Sequence, residues 1–338
     1  MAAPTTTPAV MPDAALRATI DRYINQSGNP DVLRYGGGFL KHWDSNLRQI
    51  KRFMRLGRMH GGRVLDVGCG FGWHAACMSL LGAREVVAND IRPLMTDVVD
   101  ARVAAMRAER LPVHVTTLLG DVCALDLPPA SFDSIFCNQT MEHVHDELAM
   151  FVVMARLLRR GGIALITNDN NALNDETVRE NSAMWERRDR SAEFVDGLRR
   201  ERPIENRDAK PYASMRREII VAADPALAGA ELDRLVAGTA GMIRPDILRS
   251  LDHFRSSGRV PSPPRHSWCR NPETGEFCER LLDPYDLAAK MESHGFRARV
   301  RHAFGRFPAT LLNGVRLAPL NRALFQRKPV FVIAATRV

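Results

Sequence analysis

At 338 residues the chain can hold one large domain with an elaboration, or two domains, with ample core. No apolar run reaches the roughly 18 residues of a membrane span, and residues 1–13 lack a charged and apolar leader, so the sequence reads as a cytoplasmic protein with a short disordered tail over 1–13. The net charge of +8 is uneven, with nine basic and four acidic groups over 1–60 and nine basic and no acidic groups over 293–338; this suggests an anionic partner, or simply solvated surface.

Residues 14–60 read as an N-terminal helical cap. A helix is expected over 14–26, broken by Ser27-Gly28-Asn29-Pro30, then a flexible turn over 34–38 (RYGGG) and a longer helix over 39–56. On that helix Arg48, Lys51, Arg52 and Arg55 share one side while Leu47, Ile50, Phe53 and Met54 favour another. It is a basic amphipathic helix that caps the core with a solvated face, or binds phosphate groups with it.

The stretch 63–74 (RVLDVGCGFGWH) organises the rest. Val64, Leu65 and Val67 around Asp66 read as a buried strand, and Gly68, Gly70 and Gly72 as a turn that lets backbone approach a ligand closely. The spacing is GxGxG, not the GxGxxG of dinucleotide folds. A second strand ends on Asp90, roughly 20 residues past the glycines, where a carboxylate suits ribose hydroxyls. A third strand region supplies Asp121 with Val122, and 131–138 and 161–168 read as the fourth and fifth strands. With the ordered motifs LDVGCG, GD, LP, FD, EHV and RLLRRGG, 63–171 and again 281–338 resemble the class I S-adenosylmethionine-dependent methyltransferases.

The resemblance implies an α/β, Rossmann-like fold of seven strands, with the N-terminal helices and a mostly helical cap inserted after the fifth strand. It divides the chain into a core over 61–171, an inserted acceptor-binding cap over 172–275 and a return to the core over 276–338. S-adenosylmethionine is the implied cofactor. Gly68, Gly70 and Gly72 would pass close to its amino-acid and ribose parts, and Asp66 would orient its ammonium. Asp90 would take the ribose hydroxyls with Ile91 beside the adenine, Asp121 and Val122 would read the adenine edge, and Asn138 would line the same site. Tyr35, His42 and Trp43 are candidate pocket residues of the cap.

After the fourth strand, 137–146 (CNQTMEHVHD) is similar to the CMEVLEHV run of ubiquinone-pathway O-methyltransferases, where acids and histidine hold a divalent metal. Here Gln139 replaces the first acid, and an amide is a weak ligand for a hard cation, so no metal is expected. His143 reads instead as a general base, biased to the neutral imidazole by a nearby helix N-terminus, with Glu142 beside it; the plainer alternative is that the pair starts a helix and packs under the cofactor. Asn168-Asp169-Asn170-Asn171 would hydrogen-bond a polar acceptor or cap a helix.

The insertion carries 17 basic and 16 acidic residues over 172–265, a balance that argues against a nucleic-acid platform and for an acceptor lid. Helices are expected over 176–200 and 225–237, and Trp185, Tyr212, Met215 and Arg216 are candidate lining residues. The six cysteines are scattered, which fits reduced thiols, and His266, Cys269 and Cys278 match no standard zinc spacing. A last helix is expected over 283–295, then strands over 296–304 and 330–336. The connection 305–329, apolar and basic without an acid, reads as core packing, a homodimer contact or a peripheral membrane contact.

The leading expectation is O-methylation of a small-molecule or glycan-like hydroxyl acceptor. The alternatives are methylation of RNA or a lipid-linked anionic substrate, and a non-catalytic cofactor-binding or membrane-associated partner protein.

Overall fold

Apolar strands that alternate with helices pair into a parallel sheet buried on both faces, and the computed structural model, which describes residues 10–260, 262, 269–302 and 318–338, has this arrangement. Among the described residues the strands are β1 (Arg63–Val67), β2 (Glu85–Asp90), β3 (Val115–Leu119), β4 (Phe132–Asn138), β5 (Leu158–Asn168), β6 (Phe296–His302) and β7 (Phe331–Arg337). They form one sheet in the order β3-β2-β1-β4-β5-β7-β6. β1 to β5 run parallel, and β7 lies antiparallel between β5 and β6. The order reverses at β1 and β4, and ligands of open α/β sheets bind outside the carboxyl ends of the strands at such a switch point.

The chain divides into two compact units. The first holds 1–141, 146–171 and 283–338; the second holds 142–145 and 172–282. The second unit therefore begins with a four-residue excursion, Glu142 to His145, and runs to Leu282, past the expected boundary at 275.

In the first unit α1 (Asp13–Asn25), α2 (Pro30–Lys41) and α3 (Trp43–Leu56) precede the sheet, and α4 (Trp73–Leu80), α5 (Pro93–Ala108) and α6 (Glu147–Leu157) connect its parallel strands. The expected turn over 34–38 is instead the middle of α2, which runs through Gly36, Gly37 and Gly38. A Cβ on Gly36 would lie 2.4 Å from Ile24 Cγ2, so the glycine permits close helix packing. The expected single helix over 39–56 breaks at His42 between α2 and α3. On α3, Leu47, Ile50, Phe53 and Met54 are buried as the period predicted, and Lys51 pairs with Asp13 at 2.5 Å. The tail is shorter than expected, since Met11 N donates to the Leu80 carbonyl at 2.9 Å.

The second unit contains α7 (Asp175–Arg190), α8 (Ala192–Glu201), α9 (Tyr212–Ala223), α10 (Gly229–Gly238) and α11 (Arg244–Ser257). The expected helix over 176–200 is two, parted at Ser191, whose hydroxyl caps α8 by accepting from Phe194 N at 3.1 Å. Its core is Ile219, Ile220, Leu232, Leu235, Val236, Ile247, Leu251 and Phe254. Back in the first unit, α12 (Pro284–Ser293) packs beside β6, and α13 (Ala318–Arg327) precedes β7.

The connection 305–329 lies outside the described residues over 305–317. Phe325 in its α13 part is fully buried, with ring centroids 4.1 Å from His302 and 6.2 Å from Tyr285, so this member of the apolar set packs inside the first unit. His266 also lies outside the described residues. Among the described residues no helix is long and apolar enough to cross a membrane.

Candidate functional site

In the first unit the site is built at the carboxyl ends of β1, β2 and β4. After β1 the chain takes positive φ at Gly68 (+69°), Gly70 (+53°) and Gly72 (+77°), a left-handed conformation that side chains disfavour. A Cβ on Gly68 would stand 2.3 Å from Thr140 Oγ1, and one on Gly72 would stand 2.4 Å from Val99 Cγ2. A Cβ on Gly70 would meet nothing within 4 Å, so this glycine alone of the three faces open space. These environments predict separable effects. Gly68→Ala should lower stability by about 1–3 kcal/mol through overpacking, on top of its backbone strain. Gly70→Ala should cost only about 1–2 kcal/mol of strain yet weaken cofactor binding at least as much as Gly68→Ala. Denaturation midpoints and calorimetric Kd values check this; a Gly70→Ala protein that binds normally would remove the loop from the site.

Asp66 and Asp90 lie behind this loop. Asp90 accepts from Gly70 N at 3.0 Å through Oδ2 and from Arg92 N at 3.0 Å through Oδ1, so each oxygen already holds backbone and keeps a second lone pair. Asp66 is buried, and its Oδ2 has no hydrogen-bond partner among the described residues. Burial, reinforced by the negative charge of Asp90, pushes the Asp66 carboxyl up to about 8. A buried, orphaned carboxyl oxygen beside an open glycine loop is what an incoming ammonium would satisfy.

The other expected contacts surround the same edge. Ile91 is 54% exposed and so free to cover a ring. Asp121 is exposed two residues past β3, where its Oδ1 accepts from Cys123 N at 2.9 Å, and Val122 beside it is buried. Asn138 ends β4 half-buried. Tyr35 packs on Phe71 of the glycine loop, with centroids 5.8 Å apart, and Phe39 stacks on Trp73 at 5.7 Å and meets Trp43 edge-on at 5.9 Å. His42 is exposed.

Several positioning residues escaped the sequence reading. Asn89 Nδ2 donates to the Leu118 and Gly120 carbonyls, both at 2.9 Å, and holds the β2 and β3 ends in register. Thr140 Oγ1 lies 3.2 Å from the Val67 carbonyl and 3.1 Å from that of Asn138. Tyr23 of α1 donates to the Phe71 carbonyl at 2.8 Å. A polar residue at a strand's carboxyl end was the available signal for Asn89; Tyr23 had none, because its partner lies far along the chain.

The polar run at the end of β5 is tied into the loop that follows. Asn168 Oδ1 accepts from Asn170 N at 2.8 Å, and Asn171 Nδ2 donates to the Pro329 carbonyl at 2.8 Å. Both side chains pin the loop, and Asn168 and Asn171 are fully buried. Gln139, at φ +52°, donates its N–H to the Thr167 carbonyl at 3.0 Å, and its Oε1 accepts from Asp169 N at 3.4 Å. It ties the β4 exit to the β5 end.

In the second unit Glu142 and His143 run alongside 277–280. Phe277 N donates to the His143 carbonyl at 3.4 Å and Arg280 N to the Glu142 carbonyl at 3.2 Å. His143 Nδ1–H donates to the Phe277 carbonyl at 2.9 Å, which assigns the proton of the neutral ring to Nδ1 and leaves the Nε2 lone pair available. That Nε2 lies 4.0 Å from Glu279 Oε1. The expected helix N-terminus is not at His143: α6 starts at Glu147, where Asp146 accepts from Leu148 N and Ala149 N at 3.0 Å. The expected bias to the neutral form reverses as well. Burial lowers the His143 pKa, but the carboxylates of Glu142 and Glu279 and the Phe277 carbonyl outweigh it and leave it raised.

Glu142, His143 and Glu279 each offer a ligand atom, all within 4.8 Å of one another. The expectation of no metal rested on Gln139 alone. Glu279, from the far end of the insertion, brings a second carboxylate, so two oxygens and one imidazole nitrogen with its other N–H held by a carbonyl fit a divalent cation.

The proposed lining of the cap is partly corrected. Arg216 is fully buried, donating to Asp189 Oδ1 at 2.7 Å, to Asp189 Oδ2 at 3.0 Å and to the Val236 carbonyl at 3.0 Å. It is a core tie of the second unit. Trp185 and Tyr212 are buried together with Cys269, against Met184, Met215, Cys278 and Leu281.

Residues 65–166 match the methyltransferase domain family model. The sequence is similar to the ubiquinone biosynthesis O-methyltransferase of Xanthomonas campestris pv. campestris, 36% identical over 110 residues that make up 32% of this chain and 44% of that protein. It is 34% identical to the protein of the same name from Xylella fastidiosa over 115 residues, 34% of this chain and 45% of that one. The chain thus spans a little under half the length of these curated relatives. Among solved structures it resembles the S-adenosylmethionine-dependent methyltransferase from Mesorhizobium loti, at 15% identity, 88% coverage of this chain, 97% of that chain and a TM-score of 0.42.

Proposed function

Taking residues 65–166 as the methyltransferase domain whose family model they match, we propose that the protein transfers a methyl group from S-adenosylmethionine to a hydroxyl of a small-molecule or glycan-like acceptor. The observation that carries cofactor use is the orphaned Asp66 Oδ2 beside an open Gly70. The choice of a hydroxyl rests on the relatives' O-methyltransferase names and on the available Nε2 of His143.

When bound, the cofactor supplies a methyl group already activated on a sulfonium, so the protein's task is placement, exclusion of water and removal of one proton. Asp66 binds the ammonium. Asp90, with its free lone pairs, would accept from the ribose hydroxyls while its other contacts hold the loop, Ile91 would lie beside the adenine, and Asp121 with Val122 would read the adenine edge. Glu142 and His143 follow Met141 directly in the chain; His143 Nε2 takes the proton of the acceptor hydroxyl, and Glu142 and Glu279 stabilise the imidazolium that results.

Asp66 gives this reading a pH signature. Its carboxyl titrates near 4 when unfolded and near 8 in the ligand-free fold, so the native state binds more protons between those values and stability falls as pH rises through that window. A bound ammonium favours the carboxylate, so the stabilisation conferred by S-adenosylmethionine should be larger at pH 7.5 than at pH 5.5. Thermal shifts at the two values check this, and Asp66→Asn should abolish the difference. An equal shift at both would detach Asp66 from the ammonium.

The decisive assay transfers labelled methyl from S-adenosylmethionine into fractionated host extract, with Asp90→Ala as the control. Label in the small-molecule or saccharide fraction is the expected result. Label only in RNA or lipid overturns the acceptor assignment, and binding without label in any fraction favours a non-catalytic role.

A further inference from the structure

Cys269 and Cys278 face each other across a short antiparallel turn in the second unit. Arg270 and Phe277 form an isolated antiparallel bridge, with Cys278 N donating to the Cys269 carbonyl at 3.0 Å and Asn271 N to the Glu276 carbonyl at 2.9 Å. Residues 269 and 278 therefore stand opposite one another next to the bridge, and facing Cα atoms of antiparallel segments lie about 4.5–5.5 Å apart. A disulfide requires about 4.4–6.8 Å. The Cys269 thiol donates to the Trp185 carbonyl at 3.7 Å and the Cys278 thiol to Met184 Sδ at 3.6 Å, and both cysteines are free. Cys269 is 3% exposed and Cys278 is half-buried, in the cluster of Trp185, Tyr212, Met184, Met215 and Leu281.

We propose that Cys269 and Cys278 are a reversible disulfide site, oxidised by a low-molecular-weight disulfide. The more accessible Cys278 sulfur bonds to one sulfur of the reagent, whose other half leaves as a thiol. The Cys269 sulfur then bonds to the Cys278 sulfur and displaces the second half as a thiol. Both thiol hydrogens end on the two released thiols, so the cysteines lose two electrons and the reagent gains them. The formation of this disulfide does not rest on the methyltransferase reading. The cross-link closes the turn that presents the Phe277 carbonyl to His143 Nδ1 and that leads directly into Glu279, so it rigidifies the partners of His143.

The test equilibrates the full chain with oxidised glutathione, quenches with an alkylating agent and maps unreduced tryptic peptides. The expected result is a peptide pair joined through Cys269 and Cys278, two hydrogens lighter than the thiols and separated by dithiothreitol. In Cys269→Ser the reaction should stop with glutathione on Cys278, and in Cys278→Ser the buried Cys269 should stay alkylatable only after unfolding. A wild-type protein in which both thiols stay free, or in which Cys278 accumulates the glutathione adduct, overturns the proposal. Circular dichroism of each variant confirms that the fold is retained.

Discussion

His143→Ala is expected to lower kcat by about 10²–10⁴-fold, the usual contribution of a positioned general base, while leaving the Kd for S-adenosylmethionine unchanged. The pH profile supplies the sharper readout. Glu142, Glu279 and the Phe277 carbonyl raise the His143 pKa against the effect of burial, and only the neutral ring can accept a proton. Activity should therefore fall as pH drops through a value raised from that of a free histidine. Glu279→Gln removes one of the raising charges, so its acid limb should move to lower pH. The linkage sign is opposite for stability. A group with a raised folded-state pKa stabilises fully below its unfolded value of about 6.5, and that contribution is lost as pH rises through the folded value.

An unmoved acid limb in Glu279→Gln, together with a rate within a few-fold of wild type in His143→Ala, would end the base assignment. A chelator separates the base from a metal ligand. The base reading expects activity to survive it; loss restored by added divalent cation would assign Glu142, His143 and Glu279 to a metal instead.

Asp189→Ala carries the largest expected effect on stability. The Asp189–Arg216 pair is buried on both sides, at 2% and 1% side-chain exposure, and its bidentate geometry engages both carboxylate oxygens. Removing one member of a buried pair strands the other charge and costs about 3–5 kcal/mol. The Lys210–Glu218 pair, with 49% and 59% exposure, provides the contrast, and Lys210→Ala should cost less than about 1 kcal/mol. Hydrogen exchange in α7, α9 and α10 reads the difference locally. Equal losses in the two variants would mean that Arg216 is not held as described. Replacing both Asp189 and Arg216 by apolar residues of similar volume should recover much of the stability, because desolvation of two charges then disappears along with their attraction.

The five parallel strands were legible as short, largely apolar runs that end at glycine, an acid or asparagine. The glycine turn was legible for the same reason: positive φ at 68, 70 and 72 demands a residue type that the sequence displays openly. The N-terminal helices were less so. Three consecutive glycines argue locally for a turn, yet α2 runs through them because Gly36 lets the helix approach Ile24. Tertiary packing outweighs a propensity of about 1 kcal/mol per residue.

Sequence alone determined the order of the strands along the chain, the positions of Asp66, Asp90 and the glycines, and which face of α3 is buried, since all of these follow from residue type and local period. Only the tertiary structure decided what meets across long separations. It brought Glu279 to His143, set Cys269 opposite Cys278, closed Arg216 onto Asp189, and turned the expected neutral histidine into one with a raised pKa. Hydrogen bonds and charge pairs of this kind depend on distance in space, and no local period in a chain encodes it.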